Sequence, residues 1–200
     1  MKEKFLIKQP LYLIFSVLFI SGVLILLLYG TIKIEQSVEK KMIEISTNDV
    51  FTIVNNSVMQ IEELLDKEQD FSSQILSNET LQKTIEKKLE LLITENIAYT
   101  YLLYKDERGV FRFLADGSKK DKAFINQKFD IDNLQWLDVY KTKKSLQIEH
   151  NYLQELSITH IAPVFRKGEV EMLLTIDFSI KKVRKINQIL TMMKNGIIAI

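Results

Sequence analysis

Two histidines, His150 and His160, six glycines and no cysteine leave little from which a zinc, phosphate-cradling or thiol site could be built in this 200-residue sequence. The histidines do not fall in an H-x-x-x-H or H-E-x-x-H spacing. No G-x-S-x-G nucleophile turn, P-loop or G-x-G-x-x-G run is present. A single histidine on a strand is more often a satisfied structural residue than a ligand or a base. The carboxylates Glu62, Glu63 and Asp66 lie on the polar side of a helical pattern, where solvation accounts for them. No acidic pair stands in surroundings that would drive two pKa values apart. The sequence therefore predicts no catalytic residue, no metal site and no cofactor, and the protein is not expected to be an enzyme.

What remains are side chains suited to holding a small molecule. Arg112 falls on the second strand of a predicted hairpin, on the opposite face from Phe111 and Phe113, and reads either as an edge charge or as a cation aimed into a half-apolar surface. Trp136 and Tyr140, four apart in a short helical stretch, share a face and either lid the core or wall a pocket. Asp177 ends a strand whose outward face grows more polar toward it. It fits either a ligand contact or the cap of the helix that follows.

These groups are placed by elements that begin at a membrane. Residues 11–29, LYLIFSVLFISGVLILLLY, form nineteen positions without a charge. As a helix they would extend about 28 Å, close to the hydrocarbon thickness of a bilayer. The stretch exceeds a usual signal-peptide core and is followed by no A-x-A-like site, so it is read as an uncleaved anchor. Lys2, Lys4 and Lys8 precede it against a single Glu3, whereas the lysines after it are offset by Glu35 and Glu39. The positive-inside rule puts residues 1–10 in the cytoplasm and the main domain, residues 30–187, periplasmic or extracellular. The balance of 27 basic and 26 acidic residues leaves no cationic excess for nucleic acid.

Beyond the anchor, Ile34, Val38, Met42 and Ile45, then Val50, Val54, Val58, Ile61 and Leu65, keep helical spacing, so the anchor is expected to continue as one long helix. Its weak place is Ser46-Thr47-Asn48-Asp49, which could kink or restart it. The apolar stripe fits either a face packed on the chain's own sheet or a dimer seam. A second helix is predicted from Asn78, as N-cap, to about Glu95. At Ala98 the period shortens to two. A hairpin follows, 99–104 and 110–114 around Lys105 to Gly109, closed by Asp116-Gly117. Residues 119–144 are polar, with helical candidates at 122–127 and 132–141. Strand character returns at 145–149, then in a longer hairpin of Leu156 to Phe165 and Glu169 to Ile176. In its second strand Val170, Met172, Leu174 and Ile176 face one way, toward a helix. Glu171, Leu173, Thr175 and Asp177 face the other. A closing helix is expected from Ser179, with a basic flank of Lys181, Lys182, Arg184 and Lys185. Residues 188–200 look like a juxtamembrane helix and the start of a second span.

The fold class is thus α+β: a transmembrane helix running into a long helix, then an antiparallel sheet with flanking helices, the 119–144 insert covering the sheet face that the long helix leaves open. This order of elements resembles the Cache family of extracytoplasmic sensor domains, PAS-like modules of bacterial membrane receptors, and the resemblance implies a PAS-like sheet. The resemblance is carried by Asp106-Glu107-Arg108-Gly109-Val110-Phe111, similar to the family's D-x-x-G turn before an apolar strand. It also rests on Ile161-Ala162-Pro163-Val164 entering the Gly168 turn, and on Leu174-Thr175-Ile176-Asp177-Phe178-Ser179, which looks like the family's strand-Asp-x-Ser junction. The resemblance implies a homodimeric sensor that binds a small molecule outside the cell, through Tyr101, Arg112, Trp136, Tyr140, Thr159 and Asp177, and passes a helix displacement to a cytoplasmic output domain such as a histidine kinase, outside these 200 residues. Tyr101, Arg112, Trp136, Tyr140 and Asp177 repeat the residue types and order of the family's amino-acid-binding variant, but Arg112 and Trp136 stand too far apart to match its motif. An amino-acid ligand does not follow. The competing reading is a single-span anchored scaffold of the cell envelope with no pocket. Arg112 is expected to face Trp136 in a sensor and to be solvent-exposed on an edge strand in a scaffold.

Overall fold

The computed structural model describes residues 8–152 and 155–179. These fall into two compact units that divide within the first helix, between Met42 and Ile43. Helix α1 spans Lys8–Glu62 without a break. Its one proline, Pro10, lies in the first turn, where a missing N–H costs nothing. From Tyr12 to Tyr29 its apolar side chains are exposed, and it is the one helix among the described residues that is long and apolar enough to cross a membrane. The Ser16 hydroxyl donates to the Tyr12 carbonyl at 2.9 Å, so the helix satisfies that polar group within itself.

In the second unit, residues 43–179, α1 passes straight through Ser46 to Asp49. The helix is held beyond that point by burial of the predicted stripe: Val50, Val54, Val58 and Ile61 on α1, and Leu65 just past its end, are all buried. Tertiary packing of this face outweighs the poor propensity of the four polar residues. Two short helices follow, α2 Phe71–Ser77 and α3 Glu79–Glu90. Asp70 caps the first, accepting from the Ser73 amide at 2.7 Å. Asn78 caps the second as expected, accepting from the Leu81 amide at 3.0 Å. Helix α3 stops near Glu90, short of Glu95, and its buried face is Ile85 and Leu89.

The remainder is one sheet of six strands: β1 Ile97–Lys105, β2 Phe111–Asp116, β3 Lys128–Phe129, β4 Leu146–Tyr152, β5 Glu155–Arg166 and β6 Glu169–Ser179. Their order is β3-β2-β1-β6-β5-β4, and every pairing is antiparallel. A seven-residue helix, α4 Trp136–Thr142, precedes β4. Residues 122–127, where the sequence suggested a helix, form an irregular stretch with a turn that leads into β3, and α4 is shorter than the predicted 132–141. In the β1–β2 turn Gly109 takes φ 81°, a left-handed conformation that a side chain would strain.

The pleat sends alternate residues to two faces. On one, Leu102, Met172, Leu174 and Ile176 are fully buried on the side of the helices. There Thr100 Oγ1 donates to the Leu89 carbonyl at 2.9 Å, and the His160 ring stands edge-on to Phe51 of α1. On the other, Tyr101, Leu103, Phe111, Phe113, Ile161 and Leu173 pack with Trp136 and Val139 of α4. The expected alternation of β6 holds from Met172 to Asp177 but slips at a bulge, where Val164 pairs with Met172 and Phe165 with Val170. Val170 therefore packs on the insert side, correcting its predicted face. The extra residue, Glu171, receives the Phe71 amide at the start of α2 and pairs with Arg166. Across the bulge, the Phe165 amide donates to Glu62 at 3.0 Å, tying the end of α1 to β5.

Asp116, 4 % exposed, attaches the insert to the sheet: its carboxylate accepts from the Ser118 and Ala123 amides, each at 2.8 Å. The expected closing helix after Ser179 and residues 1–7 lie outside the described residues.

Candidate functional site

On the insert face the aromatic packing stops short of one end of the sheet and leaves a cleft of about 390 Å³. Its floor is strand: Tyr101 from β1, Thr159 from β5 and Asp177 from β6. Its wall is the insert: Phe129, Asp132 and Trp136. Antiparallel register brings the floor together. Thr159 lies directly opposite Asp177, and Tyr101 lies opposite Thr175, so its hydroxyl reaches Asp177 diagonally.

A chain of polar contacts runs around this cleft. Thr159 Oγ1 donates to Asp177 Oδ1 at 2.6 Å, and the Tyr101 hydroxyl donates to Asp177 Oδ2 at 3.3 Å. With its proton committed to Asp177, Thr159 Oγ1 is the acceptor for His150 Nε2 at 3.0 Å. On its other side, His150 Nδ1 lies 3.2 Å from Asp132 Oδ2, and Trp136 Nε1 donates to Asp132 Oδ1 at 3.2 Å. Sheet and insert are thereby joined through Asp132, His150, Thr159 and Asp177. Burial raises the Asp177 carboxyl above the usual carboxylate range, against the lowering effect of the bonds from Thr159 and Tyr101. Burial, and after it the Asp177 charge, push the Tyr101 phenol well above its ordinary value, so Tyr101 stays a donor.

The structure brings together four of the six side chains predicted to contact a ligand: Tyr101, Trp136, Thr159 and Asp177 line the cleft, and Arg112 and Tyr140 do not. Arg112 is bound within its own hairpin, its Nε donating to Asp106 Oδ2 at 2.7 Å and its Nη1 to the Asn126 carbonyl at 3.0 Å. It is half-buried, matching neither the inward placement expected of a sensor nor the exposed edge expected of a scaffold. The reason is local: Asp106 of the turn also accepts from the Arg108 and Val110 amides, so the carboxylate is fixed beside the strand before Arg112 can turn inward. Tyr140 packs on Phe111, with Lys105 Nζ 4.3 Å from its ring centroid.

Two members of the polar chain, Asp132 and His150, were not predicted from the sequence as ligand contacts. Asp132 lies four residues before Trp136, one helical turn away, and its role was legible in that spacing. His150 depended on the β4–β5 register, which sets it opposite Ser157 and diagonal to Thr159, and no sequence signal fixes that register. Among the described residues no group of three or more His, Asp or Glu is placed to hold a metal ion.

No protein-family profile matches this sequence, and no curated protein matches it. Solved structures do. The ligand-binding domain of the Campylobacter jejuni chemoreceptor Tlp3, solved in complex with 4-methylisoleucine, aligns over 78 % of this chain and 58 % of its own length, at 17 % identity and a TM-score of 0.52. The sensor domain of the V. cholerae histidine kinase DctB aligns over 75 % of this chain and 59 % of its own, at 15 % identity and a TM-score of 0.41. The chain thus spans under two thirds of the length of each of these two structures. The likeness to the Tlp3 domain shows a shared fold, and the second is too distant to add to it. The resemblance to Cache-type sensor domains stands as a likeness of architecture: a PAS-like antiparallel sheet behind a long N-terminal helix.

Proposed function

We propose that this chain is the extracytoplasmic ligand-sensing region of a membrane signal-transduction receptor, and that its ligand occupies the cleft between the sheet and the insert. One observation carries the reading: a cleft of small-molecule size, lined by aromatic side chains and a connected set of polar groups, on a sheet of sensor-domain architecture. In this reading residues 1–10 are a cytoplasmic tail, residues 11–29 cross the inner membrane, residues 30–187 form the sensor, and residues 188–200 lead to a second span. Tyr101, Trp136, Thr159 and Asp177 contact the ligand. Because Phe178 and Ser179 at the end of β6 also line the cleft, a ligand that favours one position of β6 biases whatever follows it. It can do so only by its difference in affinity between two states. The receptor acts as a homodimer, and the signal passes to a cytoplasmic output domain outside these 200 residues. No reaction is assigned to the chain.

The test is thermal unfolding of the full chain in detergent against a panel of small metabolites, repeated with Thr159→Val. A ligand at 100 times its dissociation constant should stabilise the protein by about 2.7 kcal/mol, and the shift should shrink in the variant. A folded protein that responds to no compound in a broad panel would instead support an anchored scaffold.

A further inference from the structure

The cleft has an unbalanced charge. Three carboxylates line it, Asp130, Asp132 and Asp177, and among the described residues no lysine or arginine does. Asp130 is paired outward with Lys128 at the surface. Among the described residues His150 is the one lining side chain able to carry positive charge, and both its ring nitrogens are already engaged, one by Asp132 and one by Thr159. Among the same residues no cation bonds Asp177: its two described bonds come from neutral hydroxyls. A carboxylate offers about four lone-pair sites, so Asp177 retains acceptor capacity toward the cleft. The rest of the lining is aromatic, with Tyr99, Tyr101, Phe129, Trp136 and Phe178, whose ring faces attract cations and whose bodies exclude water.

Arg112, the guanidinium that could have paired with a ligand carboxylate, is held away by Asp106 and the Asn126 carbonyl. An anionic ligand group entering the cleft would meet the aspartates, and among the described lining residues it would find no lysine or arginine to pair with.

Building on the ligand-binding reading above, we infer that the cleft takes an organic cation, a protonated or quaternary amine that carries no carboxylate, with its charged nitrogen toward Asp177 and Asp132 and its substituents among the aromatic rings. The ligand supplies the missing counter-charge.

Trp136 is the protein's only tryptophan and lines the cleft, so its fluorescence reports occupancy directly. The full chain in detergent is titrated with tetramethylammonium, choline and phenethylamine in one arm, and with acetate, succinate and zwitterionic isoleucine in the other. The inference predicts a saturable change in Trp136 emission with at least one amine and with no member of the second arm. Loss of the carboxylate should weaken amine binding roughly thirtyfold or more in Asp177→Asn. Asp132→Asn, at a more exposed position, serves as the second variant should the first fail to fold, and should also weaken binding. Binding of acetate, succinate or isoleucine in preference to the amines would overturn the inference while leaving the cleft a ligand site. Amine binding unchanged in both variants would also overturn it. No response to either arm, with the protein folded, would remove the ligand-binding reading and this inference with it.

Discussion

His160 is a histidine that the fold keeps neutral, and lowering the pH should reveal how much stability rests on that. It is 1 % exposed on the helix-facing side of β5, its ring edge-on to Phe51 of α1 with centroids 5.5 Å apart. The Gln147 side-chain nitrogen lies 3.2 Å from Nδ1, which makes Nδ1 the acceptor and leaves the proton of the neutral ring on Nε2. Protonating the ring would set a donor against a donor and bury a charge, and burial lowers its pKa from 6.5 to about 4. The unfolded chain binds this proton near pH 6.5 and the folded chain only near pH 4, so the unfolded state is favoured progressively as the pH falls between them. At about 1.4 kcal/mol per pKa unit, His160 should cost the fold about 2 kcal/mol between pH 7 and pH 4.5. For a chain of this size that is roughly 4–8 °C in Tm. The perturbation is His160→Leu, which fills a similar volume and does not titrate. Denaturation followed by circular dichroism at both pH values should find the variant within about 1 kcal/mol of the parent at pH 7 and clearly more stable than the parent at pH 4.5. A parent and variant that lose stability in parallel over that range would refute the buried-neutral assignment.

Other expectations can be checked by the same unfolding assay. Gly117→Ala should lose about 1–3 kcal/mol or more, because a Cβ there would lie 2.5 Å from the backbone of Leu89 and Glu90 and force α3 away from the end of β2. Ile61→Ala, at a fully buried position of α1, should cost about 2–5 kcal/mol. Arg112→Ala should lower Tm modestly by removing the Asp106 pair, while leaving any ligand-induced shift at its parental size. Asp177→Asn should raise the Tm of the unliganded protein at pH 8. Burial raises the Asp177 pKa above its unfolded value, so the parent loses stability as the pH rises through it, and the gain of the variant should shrink toward pH 4.

How far the sequence could be read follows from the range of each interaction. The long N-terminal helix, the stripe from Val50 to Leu65, the Asn78 cap and the two hairpins are legible because each is written in local periodicity or a local side-chain bond. The slips occur where one residue of register decides the face. The bulge at Val164 and Phe165 turned Val170 and Glu171 over, and a bulge between Leu102 and Leu103 interrupts the β1–β2 pairing. Strand β3 is two residues long and exists only because β2 offers it an edge, a pairing no local pattern announces. In the site, Asp177, Thr159 and Tyr101 meet through strand pairing that the fold class already implied. Arg112 did not join them because a carboxylate six residues earlier, in its own turn, competes for it. His150 entered the cleft through a register that only the folded sheet defines.

Binding of a small molecule between the sheet and the insert is located by amide hydrogen exchange of the full chain, with and without a saturating concentration of a compound that shifts its Tm. Exchange should slow around Tyr101 in β1, Thr159 in β5, Asp177 in β6 and the segment from Phe129 to Trp136, the strands and insert that line the cleft. Protection confined to α1, α2 and α3, with the cleft segments unchanged, would contradict it.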